Sequence, residues 1–174
     1  MAKVEIDGRD MVCKAFCQGL EDPGLIQELA SISLIQQKAA LEGGSGLSNT
    51  QIRVPKLVGY ITHAETGATL GMLREWIPAG NRGDTLRDVD VSTVSVEIRQ
   101  RWAEQIRGMV NWLHEIDIVW GDGKPSNVVI DQADNAWLID FGGGWTEGWV
   151  DEEFAGTERG DDQAVERIAK FLGL

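Results

Sequence analysis

The sequence predicts an α+β chain in two lobes, a small β-rich half and a helical half joined near residues 76–84. Three observations carry that expectation. The early segments alternate with the period of a strand, and from Val94 the apolar period lengthens to three or four. Between the two regimes, Pro78, Gly80 and Gly83 interrupt any regular element. The expected division is 1–77 for the first lobe and 78–174 for the second.

Each element has its own local reason. Residues 3–6 (KVEI) alternate as a strand, DGRD at 7–10 is a hairpin turn, and MVCKAF at 11–16 returns as a strand carrying Lys14. Asp22 before Pro23 starts a helix, because the carboxylate caps free amides and proline has no N–H to satisfy there. That helix is expected to reach about Ala40, with Leu25, Ile26, Leu29, Ile32 and Ile35 on its apolar face, until EGGSGLSNT at 42–50 ends it. A second hairpin occupies 55–78, turning at Glu65-Thr66-Gly67. Val94, Ile98, Trp102, Ile106, Met109 and Leu113 then mark a long amphipathic helix. A loop at 119–127 leads into two short strands, VVID and AWLID, with a turn at Asp134-Asn135, and the segment from Gly160 to the end is helical.

Composition narrows the function classes. The 174 residues hold 43% hydrophobic and 25% charged side chains, ordinary for a globular domain. No apolar run approaches the roughly 20 residues of a membrane span, and the N-terminal segment has no signal-like apolar stretch. A cytoplasmic chain without a membrane partner is therefore expected. The net charge of −12 opposes nucleic-acid binding, which rests on neutralised phosphates, and requires a polyanionic ligand to arrive with a cation. Cys13 and Cys17 read as small buried hydrophobes, and His63 and His114 as half-exposed structural residues.

The chemistry concentrates in VWGDGKPSNVVI at 119–130 and LIDFGGG at 138–144. A loop leaving a long helix for a strand is exposed and rigidly supported. On it stand Asp122, Lys124 and Asn127, and the hairpin returns Asp140 towards Asn127. A converging carboxylate and amide oxygen suit Mg²⁺, which keeps its other positions for water and phosphate. Asp122 can accept a proton from an attacking hydroxyl, and Lys124 can neutralise a phosphoryl group in transfer.

GDGKPSN followed by DFG resembles the catalytic and metal-binding loops of the protein-kinase-like superfamily. Upstream, Lys14 in VCKAF matches the strand lysine, Glu28 its helical partner, and LREWIP the hinge whose backbone, at Glu75 and Ile77, binds adenine. The WGD triplet and DFGGG are similar to fungal protein-kinase-like domains and to aminoglycoside and choline phosphotransferases. The resemblance spans roughly 11–172 and implies a two-lobed kinase-like fold, shortened in the N-terminal lobe and at the C-terminal end. It also implies ATP and Mg²⁺ as cofactors and a hydroxyl-bearing protein or small molecule as acceptor. Lys14, positioned by Glu28, would hold the α- and β-phosphates, Asp122 and Lys124 would serve the transfer, and Asn127 and Asp140 would hold the metal.

Three departures qualify the implied activity. No G-x-G-x-x-G precedes Lys14, Trp120-Gly121 replaces the usual His-Arg, and no A-P-E follows Phe141. A nucleotide- or protein-binding pseudokinase is the alternative expectation, and a fragment completed by a partner chain is the third.

Overall fold

Strands β1 (Ala2–Ile6) and β2 (Arg9–Ala15) form an antiparallel hairpin closed by Asp7 and Gly8, at φ 51° and 72°. A two-residue turn matched to strand twist requires left-handed backbone at both positions, which Asp and Gly adopt most readily. This geometry comes from a computed structural model that describes residues 1–15, 22–42 and 52–174. Phe16, Cys17 and most of the Gly-rich patch lie outside the described residues, and Cys13 is half-buried.

Strand β2 pairs with β4 (Thr69–Glu75), and β4 with β3 (Leu57–Thr62), giving an antiparallel sheet in the order β1-β2-β4-β3. Gly71 is required in it, because a Cβ there would meet the Lys14 carbonyl oxygen at 2.4 Å. Helix α1 (Pro23–Glu42) is tied to the sheet edge by Gln36, whose amide oxygen accepts from Leu57 N at 3.0 Å. Leu25, Ile32 and Ile35 are buried beneath it. Ile26, expected on that face, is 53% exposed. Successive helical residues are turned by about 100°, so the stripe through Leu25, Leu29 and Ile32 leaves Ile26 outside.

The second half is built on helix α2 (Val96–Glu115). It starts later than the periodicity suggests, since Val94 is an extended residue ending a 3-10 turn, although its side chain is still buried. Strands β5 (Val128–Ile130) and β6 (Ala136–Leu138) form a two-stranded ribbon with Val128 opposite Leu138. Helix α2 holds the ribbon's turn: Trp102 Nε1 donates to Asp134 O at 3.0 Å, and Gln105 Oε1 accepts from Ala136 N at 2.8 Å. Helix α3 (Glu158–Phe171) packs on α2 through Ala164, Val165 and Ile168, its first turn capped by Thr157, whose Oγ accepts from Gly160 N at 3.1 Å.

Trp102, Ile106, Met109, Leu113, Trp120, Ile130, Leu138 and Phe141 are all essentially inaccessible to solvent, so the ribbon rests on a dense core. The connection after β4 reaches the same ribbon, Gly80 N donating to Ile130 O at 2.8 Å, and Leu138 N donates to Arg53 O at 3.0 Å. The cleft between sheet and ribbon is thereby fixed from both sides. Among the described residues no helix is long and apolar enough to cross a membrane.

Candidate functional site

Alternation along β2 and β4 puts Val12, Lys14, Met72 and Arg74 on one face of the sheet, with Val12 opposite Arg74 and Lys14 opposite Met72. That face looks onto the ribbon. Lys14 forms an ion pair with Glu28 of α1 and a second with Asp140 Oδ1 at 3.0 Å. Burial works against the Lys14 ammonium, but the hydrogen bond and charge of Glu28, joined by Asp140, outweigh it and hold the group above its ordinary pKa. Glu28 is 1% exposed, and burial raises its pKa against the pull of Lys14.

Asp140 has φ 64°, a left-handed conformation uncommon outside glycine. It stands two residues beyond β6, after Ile139, whose N donates to Asn127 O at 3.0 Å. Asn127 is therefore the cross-strand neighbour of the residue before Asp140. Behind Asp140 the chain needs glycine: a Cβ on Gly142 would meet Gly24 O, in the first turn of α1, at 2.9 Å.

The catalytic-type loop closes on itself. Asn127 Nδ2 donates to Asp122 O at 2.8 Å and to Asp122 Oδ2 at 3.2 Å. Lys124 Nζ pairs with the Asp122 carboxylate and donates to Thr146 Oγ1 at 2.8 Å. Thr146 in turn donates to Asp122 Oδ1 at 2.7 Å, so one hydroxyl sits between a carboxylate and an ammonium. Gly123 is packed too closely for any side chain, since a Cβ would meet the Ala164 methyl at 2.6 Å.

With its nitrogen engaged by Asp122, Asn127 keeps its amide oxygen as one candidate ligand for a cation, and the Asp140 carboxylate, its side chain 44% exposed and paired with Lys14, is the other. Among the described residues no three His, Cys, Asp or Glu side chains cluster to hold a metal by themselves. An amide oxygen with one carboxylate still fits Mg²⁺, which completes its shell with water and phosphate oxygens.

At the other end of the cleft, a cavity of about 210 Å³ is lined by Val12, Arg74, Trp76, Ile77, Val129 and Ile139, with Met1, Ala79 and Asp84 at its edges. Ile77 lines this cavity. Glu75 turns its carboxylate outward, where Oε2 accepts from Lys56 N at 3.3 Å, and does not line the cavity.

Three residues, Thr146, Asp161 and Arg74, carried no expectation from the sequence, and a fourth, His114, was expected to be more exposed than it is. Thr146 carried no signal, standing in a Gly-rich loop. Asp161 is 1% exposed and accepts from Trp120 N at 2.7 Å, Gly121 N at 2.8 Å and His114 Nε2 at 3.0 Å. Burial raises its pKa, opposed by those three hydrogen bonds. His114, expected half-exposed, is instead mostly covered because it packs against this carboxylate. The available signal was an acid on the apolar stripe of α3, in phase with Ala164, Val165 and Ile168. Arg74 likewise breaks an inward-facing position of β4.

The model of the protein kinase domain matches residues 35–151, more than half of the chain. Among curated proteins, a probable LRR receptor-like serine/threonine-protein kinase of Arabidopsis thaliana is 26% identical over 94 residues, covering 52% of this chain and 17% of its own. Serine/threonine-protein kinase Sgk1 of Xenopus tropicalis is 29% identical over 92 residues, covering 52% and 21%. A probable receptor-like protein kinase of Arabidopsis thaliana is 33% identical over 92 residues, covering 51% and 26%. The matched stretch thus spans about a quarter or less of the length of these relatives.

Proposed function

The chain belongs to the protein kinase domain family, and from that premise we propose that it is a Mg²⁺-dependent phosphotransferase moving the γ-phosphoryl group of a nucleoside triphosphate, ATP by resemblance, to a hydroxyl. The observation that supports this most directly is the Thr146 hydroxyl, held by Asp122 at 2.7 Å and by Lys124 at 2.8 Å. An acceptor alcohol entering the same place has its proton aimed at a carboxylate and its oxygen beside a cation. As the acceptor oxygen bonds to phosphorus and the bond to the β-phosphate oxygen breaks, the hydroxyl proton passes to Asp122. Lys124 offsets charge on the phosphoryl group in transit. Lys14, aligned by Glu28, is the group for the remaining phosphates, and Asn127 and Asp140 would hold Mg²⁺. The metal supplies charge neutralisation on the phosphate oxygens. The remainder of catalysis is positioning and electrostatics. The acceptor is a hydroxyl on a protein or a small molecule.

The same contact supports a second reading, a pseudokinase whose base is kept occupied by its own Thr146. Substitution Asp122→Asn separates the two. For a transferase, nucleotide binding persists while Mg²⁺-dependent turnover, followed by release of labelled phosphate or product, falls by about a thousandfold. Turnover that is absent from the wild type, with binding intact, selects the pseudokinase.

A further inference from the structure

The cavity beside Ile77 is walled by the apolar side chains of Val12, Val129 and Ile139, with one buried exception. Arg74 is 5% exposed, and its Nη2 donates to the Met1 sulfur at 3.6 Å, a weak acceptor. Its Nε is buried with no hydrogen-bond partner among the described residues. Glu28 and Asp140 act on the guanidinium as charges, and burial still lowers its pKa. A buried donor left unmet is costly, and a guanidinium is retained in such a place where something else accepts from it.

The chemistry of that acceptor is constrained. Glu28 and Asp140 lie near enough to repel a second anion, so a neutral carbonyl-type oxygen or ring nitrogen suits the position better than a phosphate. The predominantly apolar lining, Trp76 included, suits a purine. Guanine carries O6 and N7 side by side, both acceptors, whereas adenine offers N7 beside the N6 amino donor. A guanidinium has donors only, so it pairs twice with guanine and meets adenine donor to donor. Asp84, at the cavity edge, can accept from a sugar hydroxyl of either nucleotide and does not discriminate.

We propose that Arg74 makes this pocket selective for guanine over adenine nucleotides, with GTP the preferred phosphoryl donor. The inference rests on the nucleotide-dependent phosphotransferase reading and refines only its base. Titration of the whole chain with N-methylanthraniloyl GTP and ATP, in Mg²⁺, measures it by fluorescence. The expected result is GTP binding tighter by about tenfold or more, a margin typical of one bidentate pair. In Arg74→Met the preference disappears or inverts. In Arg74→Gln, whose amide both donates and accepts, the two nucleotides bind alike, and this variant decides the matter if the methionine one does not fold by circular dichroism. A wild type that prefers ATP, or a ratio unmoved by either substitution, overturns the guanine assignment and leaves phosphotransfer standing. Binding of neither nucleotide overturns both.

Discussion

Two carboxylates, Glu28 beside the sheet and Asp161 beneath the catalytic-type loop, are each 1% exposed, yet their surroundings differ in kind. Asp161 accepts from two backbone amides and one imidazole, all from the helical half. Its role is completed inside the fold. Glu28 meets one ammonium, Lys14, which is itself 24% exposed and shared with Asp140 across the cleft. A carboxylate satisfied by backbone holds architecture, whereas one satisfied by a shared cation on a cleft holds a charge ready for a ligand. The same contrast separates the halves: the ribbon rests on a dense core, while the sheet face carries Lys14 and Arg74, charged groups with donors directed to the cleft.

Three substitutions sharpen or break the contrast. Asp161→Ala leaves two buried amides and His114 without an acceptor, and is expected to cost about 3–5 kcal/mol in denaturant unfolding. Glu28→Gln keeps the shape but removes the charge that aligns Lys14. Turnover should fall about a hundredfold while the thermal midpoint moves by only a few degrees. If Glu28→Gln unfolds the chain and Asp161→Ala merely slows it, the division of roles is wrong.

The smallest effect belongs to Asp131, at the ribbon turn, where Oδ1 accepts from Ala133 N and Asn135 N and Oδ2 from Trp137 Nε1, each at 2.8 Å. Burial works against its charge, but the indole and amide hydrogen bonds outweigh it and hold the carboxyl below its ordinary pKa. A depressed carboxyl contributes stability above the unfolded pKa, about 3.9, and loses it as the pH falls through the lower folded value. Asp131→Ala should therefore cost about 1–2 kcal/mol at pH 7, a gap that narrows below about pH 4 in urea melts. A gap independent of pH would assign the effect to packing instead.

The legible parts of the site share one property: their partners are near in sequence or set by strand alternation. Asp122, Lys124 and Asn127 stand within six positions, and a tight ribbon returns Asp140 beside them, so spacing and turn chemistry were enough. The Lys14–Glu28 pair lies outside that rule: Lys14 was visible as a charge on a strand, but Glu28 was expected as its partner only from the kinase resemblance. Ile26 was misplaced because a one-residue phase error on a helix turns a side chain from core to solvent, and the local pattern around Leu25 tolerates either phase.

By itself the sequence determined the order of strands and helices, the two-lobed α+β class and the loop that carries the chemistry, since these follow from periodicity, turn residues and short-range motifs. Tertiary packing alone decided which charges lie in the dark. Asp161 meets backbone amides 40 and 41 positions away, Lys14 meets Asp140 across 126, and Arg74 is sealed in by strands and ribbon from both ends of the chain. Burial and charge pairing are properties of neighbours in space, and no local pattern encodes neighbours that the chain brings from so far.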